Sequence, residues 1–409
     1  MKKFWLIVWL LGSVTLCYSA VLLNAEYTIK KNQNSVVVSY ADALPDGTKT
    51  VRISIVDKDI FRLSISNSDY FSDRKSLMIV PRVEDGYIKF SAKEENGHYF
   101  VVTEKIMADI DLSNGKVSFF DNMGDLILSE SSRTIKPAVV QNEKVNHIRQ
   151  SFLWNDEKEQ LYGLGSSQQG FLSLREQKVP LFQQNREMVV QMLLSSRGYG
   201  ILWDNYSLGE YGDAKDSYYL WSEVADDIDY YFIAGKNADG VIAGYRRLTG
   251  KVPMFPKWAY GFIQSRERYK NQKEIVDVLR VFREKKVPVD MIVQDWYTWK
   301  DGEWGQKNPD PERFPDIAKM VKEIHDLNGK VMISIWPNVT EGCSDQVEWK
   351  NAGCVLGNPG FLDPFIKKGR DIYWEQTNRA FFSKGMDGFW IDCTEPFDSD
   401  WTSTLLRLP

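Results

Sequence analysis

Carboxylates and tryptophans gather where four apolar runs in the second half of the chain stop. Residues 259–264 lead into Ser265-Arg266-Glu267-Arg268-Tyr269, and residues 289–294 into Asp295-Trp296-Tyr297-Thr298-Trp299. A third run leads into Trp336-Pro337-Asn338, and Gly388-Phe389-Trp390-Ile391 into Asp392-Cys393-Thr394-Glu395-Pro396. Hydrolysis of a glycosidic bond passes through an oxocarbenium-like state, so a carboxylate beneath the anomeric carbon can stabilise that charge or bond to it. Asp392 is placed for this, with a helix cap or a structural salt bridge as the bland alternative. Trp390, two residues earlier, shares the strand face of Asp392 and either shapes the same pocket or is core. Asp295 can grip sugar hydroxyls through charge-assisted bonds, or cap the following turn. Arg266 and Arg268 either orient these carboxylates or hold their loop, and spacing alone favours the loop. Glu395 lies on the loop of Asp392 and would approach the substrate from the same side. Acid and nucleophile must flank the bond, so Glu395 is not the acid partner. Trp296, Trp299, Trp304 and Trp336 offer faces for stacking or for packing.

The elements that carry these residues alternate strand and helix. After Lys251-Val252-Pro253, strands are expected at 259–264, 289–294, 330–336 and 388–392, and helices at 273–286, 317–328 and 367–383. In the first of these helices Ile275, Val278, Leu279 and Phe282 recur at helical spacing. The second should end at Gly329, as helices often end at glycine. Continuous apolar strands alternating with amphipathic helices imply a parallel sheet wrapped by helices, and a (β/α)8 barrel leads. Chemistry in such barrels sits at the C-terminal ends of the strands, where these carboxylates and tryptophans fall.

From about residue 27 to 250 the rhythm is short β-rich runs at 35–40, 51–56, 61–66, 106–112 and 116–120. Between them lie the turn formers Pro45-Asp46-Gly47, Asp85-Gly86 and Asn114-Gly115, the last closing the clearest hairpin. This half reads as a β-sandwich. Residues 1–20, with Met1-Lys2-Lys3, an apolar run and a small-residue end at Ser19-Ala20, have the layout of a secretory signal peptide, which makes the chain an exported one. The divisions are then 1–20, 21–250 for the sandwich and 251–409 for the barrel. The apolar run of the leader is shorter than the roughly 20 residues of a spanning helix, so no membrane span is expected after cleavage.

With 409 residues and a hydrophobic fraction of 43%, the chain is long enough for more than one well-packed domain. A formal charge of −5 without long runs of one sign argues against nucleic acid or an anionic membrane as partner. Removal of the leader leaves Cys343, Cys354 and Cys393, which form no disulfide framework, although a Cys343–Cys354 bridge is allowed. His98, His147 and His325 are far apart and lack metal-ligand spacing, so neither metal nor cofactor is expected. Oligomeric state is not encoded in any of these patterns.

Taken together, the motifs resemble glycoside hydrolase family 31, the retaining α-glucosidases and α-xylosidases. Leu161-Tyr162-Gly163-Leu164-Gly165-Ser166-Ser167-Gln168 and Ser196-Arg197-Gly198-Tyr199-Gly200-Ile201-Leu202-Trp203-Asp204-Asn205 resemble its mutarotase-like β-sandwich. Tyr260-Gly261-Phe262-Ile263-Gln264-Ser265-Arg266, Gln294-Asp295-Trp296-Tyr297-Thr298-Trp299, Asp310-Pro311-Glu312-Arg313-Phe314-Pro315-Asp316 and Ile333-Ser334-Ile335-Trp336-Pro337 resemble its barrel. The resemblance implies Asp392 as nucleophile and Asp295 as the carboxylate binding hydroxyls of the −1 sugar. It implies Trp336 and Trp390 as aromatic walls of that subsite and Glu395 as an acid behind it, with Asn185 on a sandwich loop reaching the barrel mouth. Arg266 and Trp296 join the substrate-binding candidates, and the partner implied is an oligosaccharide. The strand ends look most like the bacterial exported α-xylosidases that trim xylose from xyloglucan oligosaccharides, with α-glucosidase as the alternative. In the family the acid/base Asp, with an Arg and a His, lies further downstream than Pro409, so four of eight barrel strands and their open edges are expected here. A non-catalytic carbohydrate-binding relative is the rival from another class.

Overall fold

A computed structural model of the chain describes residues 26–80, 88–140, 143–167, 169–183, 187–356 and 360–392. The leader, the Asp85-Gly86 turn, Asn185, Cys393 and Glu395 lie outside the described residues.

Two antiparallel sheets build the first half. An eight-stranded sheet runs, edge to edge, through Tyr27–Lys31, Ser35–Tyr40, Thr50–Asp57, Ile60–Ser66, Ile228–Ala234, Tyr199–Trp203, Met188–Ser195 and Leu161–Ser166. A nine-stranded sheet runs through Lys178–Leu181, Gly209–Ala214, Ser217–Ala225, Glu143–Leu153, Leu126–Val140, Val117–Asp121, Ile106–Asp111, His98–Val102 and Ser91–Glu95. Alternation drives the stacking: in Ser35–Tyr40 the side chains of Val36, Val38 and Tyr40 are buried, and the residues between them are not. Inward residues of both sheets, such as Ile53, Leu63, Phe119, Phe152, Tyr218 and Phe232, form one core. In the hairpin after Asp111, its carboxylate accepts from Ser113 N at 2.9 Å and Asn114 Nδ2 at 2.6 Å, and Gly115 takes φ +69°.

The segment 238–249, expected within the sandwich, is a helix, α1 (Ala238–Thr249), packed on Ile233 and Met192 of the eight-stranded sheet. Four further helices follow: α2 (Gln272–Glu284), α3 (Ile317–Asp326), α4 (Ser344–Asn351) and α5 (Lys367–Ala380). They accompany a parallel sheet ordered Ile263–Gln264, Met291–Gln294, Lys330–Ile335 and Gly388–Ile391. Ile275, Leu279, Val321 and Ile324 of α2 and α3 pack against Ile292, Ile333 and Ile335, which fixes the sheet's outer face. Among the described residues the first and fourth strands each pair on one side only.

Several expected boundaries move by a few residues, three of them for a local reason. The first barrel strand is only Ile263–Gln264, because Lys257–Tyr260 forms a 3-10 turn after Pro256 and Phe262 N donates to Asp290 Oδ2 at 3.2 Å. α3 ends at Asp326, and Asn328, at φ +53°, occupies the left-handed position assigned to Gly329. Gly329 is required by packing instead, since a Cβ there would lie 2.6 Å from Leu279 Cδ2. α5 stops at Ala380, and a 3-10 turn, Phe382–Lys384, follows it.

Cys343 and Cys354 are both free, so the allowed bridge is not made: Cys343 immediately precedes α4, while Cys354 is buried with Val339, Trp349 and Leu362. No helix among the described residues is long and apolar enough to cross a membrane. No group of three or more His, Cys, Asp or Glu among them is arranged to hold a metal ion.

Candidate active site

The site follows from strand register. Gln294 lies opposite Ile333 and Ile333 opposite Phe389, while Ser334 lies opposite Trp390. Asp392 N donates to Ile335 O at 3.0 Å, so the ladder continues one residue past the last strand. Because side chains alternate, Val293 and Asp295, Met332, Ser334 and Trp336, and Gly388, Trp390 and Asp392 share the face turned away from the helices. Asp295 therefore opens on the same surface as Trp390 and Asp392, at the C-terminal ends of two strands with the strand of Ser334 between them.

Asp295 is fixed by short polar contacts. Its Oδ1 accepts from Ser334 Oγ at 3.0 Å and from Trp296 N at 3.0 Å, and the same Trp296 N–H also reaches Ser334 Oγ at 2.6 Å. Partial burial pushes the Asp295 carboxyl above its ordinary value, and the negative charges of Asp392 and Glu267 push it the same way. The Ser334 and Trp296 hydrogen bonds pull it back. That coupling brings Asp392 and Glu267 into the field of Asp295. Ser334 was not singled out by sequence reasoning; the signal available was a lone hydroxyl on the inner face of an apolar strand.

The tryptophans divide into packed and open. Trp336 meets Trp299 edge-on at 5.1 Å and Trp304 at 5.7 Å, and it is only 2% exposed. Its indole N–H has no hydrogen-bond partner among the described residues. Trp296 extends the cluster, 5.5 Å from Trp304. Trp390, by contrast, is 42% exposed and presents an open ring beside Asp392.

The arginines serve the loop rather than the carboxylates. Arg266 pairs with Glu274 in the first turn of α2 at 3.3 Å, so the structure does not bring it to Asp295. Arg268 lies over Tyr297 at 4.4 Å and Trp296 at 5.6 Å. Tyr297 sits at φ +66°, a left-handed conformation that bulky residues rarely adopt. It is also held by Arg313, whose ring contact is 4.6 Å and whose Nη1 donates to Tyr297 O at 3.1 Å. Arg313 also donates to Trp299 O and, at 2.7 Å, to Asp310 Oδ2. The Asp310-Pro311-Glu312-Arg313 motif is thus a clamp on the loop that carries Trp296 and Trp299. Gln183 donates to Glu187 O at 2.9 Å and accepts from Val189 N at 3.1 Å.

Residues 50–211 match the glycosyl hydrolase 31 N-terminal galactose mutarotase-like domain, and residues 252–407 match the glycosyl hydrolases family 31 TIM-barrel domain. The α-xylosidase of Saccharolobus solfataricus is 35% identical over 86% of this chain and 48% of its own length. The solved α-xylosidase of Xanthomonas citri aligns at 28% identity and TM-score 0.78, over 88% of this chain and 57% of that one. A soil-metagenome α-xylosidase, solved with xylose, aligns at 25% identity and TM-score 0.80, over 91% and 58%. The chain spans about half the length of the relatives it matches. The mutarotase-like sandwich, the parallel strands that follow it and these matches make the chain a member of glycoside hydrolase family 31.

Proposed function

We propose that the protein is a retaining α-glycoside hydrolase that releases α-linked xylose from oligosaccharides, with Asp392 as nucleophile. The observation that carries this reading is the surface that Asp392 and the open Trp390 ring at one strand end share with Asp295, two strands away. An Asp392 oxygen attacks the anomeric carbon from the face opposite the leaving group as the glycosidic bond breaks. The leaving oxygen takes a proton from a carboxylic acid on the other side, and a β-linked glycosyl ester results. Water then attacks the same carbon, loses its proton to that carboxylate, and frees Asp392 with net retention. Asp295 binds hydroxyls of the sugar, and Trp390 stacks on its ring.

Retaining geometry needs the acid about 5 to 5.5 Å from the nucleophile. Asp295 stands two strands away, roughly 10 Å at the usual strand spacing, so it is assigned to hydroxyl binding. The acid is not assigned among the described residues. The choice of xylose is supported by the three relatives named α-xylosidases. α-Glucosidase is the second reading, favoured by the α-glucosidase 2 of Bacillus thermoamyloliquefaciens, 25% identical over 88% of this chain. Export is part of the proposal and rests on the leader pattern of residues 1–20.

The test is turnover of nitrophenyl α-xyloside and α-glucoside with the product anomer followed by NMR. Faster release from the xyloside, with the α-anomer appearing first, is expected. Preference for the glucoside would transfer the assignment to the second reading. Binding of xylose without turnover of either substrate would support a non-catalytic sugar-binding protein.

A further inference from the structure

The aromatic wall of the site leans on a buried cation that no sugar contact explains. Residues 304–308 and 338–345 are stitched together: Thr340 N donates to Trp304 O at 3.0 Å and Lys307 N to Asp345 Oδ2 at 2.9 Å. Asp345 N donates in turn to Gln306 Oε1 at 3.2 Å, and Asn308 Nδ2 to Ser344 Oγ at 3.0 Å. Inside this seam the Lys307 side chain is 2% exposed, and its ammonium lies 3.7 Å from Asp345 Oδ2. That is beyond hydrogen-bond range, and no acceptor among the described residues reaches it. Its charge meets ring faces instead, 4.0 Å from the centre of Tyr373 and 5.1 Å from that of Trp349. The Tyr373 hydroxyl donates to Trp336 O at 3.0 Å, at the end of the third barrel strand.

An apolar side chain of similar volume would fill the seam without the desolvation penalty of an ammonium, so packing alone does not account for lysine here. We propose that Lys307 is a positioning residue: its charge, balanced by Asp345, seats the Tyr373 ring so that the Tyr373 hydroxyl fixes Trp336 and the Trp299–Trp304 wall against it. The functional half of this inference rests on the glycosidase reading; the structural half does not.

Burial pulls the Lys307 ammonium down to about 8 against the opposing charge of Asp345. The charge is therefore lost just above neutrality. Around the seam, burial raises the Tyr373 hydroxyl well above neutrality and lifts the Cys343 thiol, with Glu303 and Asp345 adding to the latter. Glu348 of α4 is engaged by Gln376 Nε2 at 2.8 Å.

The test compares wild type, Lys307→Met and Lys307→Met/Asp345→Asn. The single variant leaves a buried carboxylate uncompensated and should melt early, whereas the double variant removes both charges and should recover most of the melting temperature. In wild type the near-UV circular dichroism of the packed indoles should change with a midpoint near pH 8. The double variant should lack that transition and bind methyl α-xyloside roughly tenfold more weakly, the scale of a lost cation–ring contact. A double variant with wild-type indole signal and affinity would overturn the proposal, because neutral packing would then suffice. So would a wild-type signal that stays flat between about pH 6.5 and 9.5, which decides the matter even if the double variant fails to fold. A wild type that binds and cleaves neither xyloside nor glucoside, yet shows the transition and loses it in the double variant, would keep Lys307 in its role and sink the glycosidase reading alone.

Discussion

Ser334→Ala isolates the contact that fixes Asp295. Ser334 is 4% exposed, and its hydroxyl is one of two donors to Asp295 Oδ1, the other being Trp296 N. A hydrogen bond to a charged group contributes roughly 1.5–3 kcal/mol, and because the Trp296 donor survives, the lower end applies, about 1.5 kcal/mol. That corresponds to about one pH unit, or about tenfold in sugar affinity. The direction follows from the shift already present. Burial raises the folded-state value of Asp295 and the Ser334 bond lowers it, so removing the hydroxyl raises it further. An acid whose folded value is raised holds its proton longer than in the unfolded chain, and its protonated form loses its stabilising effect as pH rises through that window. Hydroxyl binding needs the ionised form, so the acid limb of kcat/KM should move up by about one pH unit, with KM raised more than kcat. Measuring kcat/KM for nitrophenyl α-xyloside across the acid limb reads this directly. A variant with reduced kcat/KM but an unmoved acid limb would refute the reasoning, because the loss would then come from packing.

Two further outcomes follow from the same structure. Trp390→Ala should raise KM about tenfold, since a stacking face is lost, while the melting temperature barely moves because the ring is already 42% exposed; Trp390→Phe should recover part of the affinity. At the opposite end of the sheet Asp387 accepts from His325 Nε2 at 2.7 Å, Lys330 Nζ at 3.0 Å and Val331 N at 3.0 Å. Burial opposes its ionisation, but these donors outweigh it and hold the carboxyl below its usual value. Its contribution is present above the ordinary carboxylate range and is lost as pH falls through the lowered value. Asp387→Asn should therefore cost about 1–3 kcal/mol at neutral pH and flatten the acid side of the stability curve in urea melts.

The parallel half of the fold was legible because its strands are continuous apolar runs and α2 and α3 carry clear apolar stripes. α1 was not, and its glycines explain why. A Cβ at Gly240 would lie 1.9 Å from Gly235 O, and one at Gly244 would lie 2.4 Å from Ile233 Cγ2. Close approach to the sandwich demands residues that lower helix propensity, so the tertiary contact erases the local signal. α4 was hidden differently: it buries Asp345 and Gln346 beside Trp349, leaving no apolar stripe to read. In the site, the common face of Trp390 and Asp392 follows from spacing within one strand. The Ser334–Asp295 bond and the diversion of Arg266 to Glu274 depend on register between strands and on helix placement, which no local pattern carries.

The most direct test of the central claim is covalent labelling with a fluorinated α-xylosyl fluoride that slows the second displacement, followed by peptide mass spectrometry. The label is expected on the peptide containing Asp392, and Asp392→Asn should remain unlabelled. A label on Asp295 or another carboxylate, or turnover surviving Asp392→Asn, would contradict the assignment of Asp392 as the attacking group.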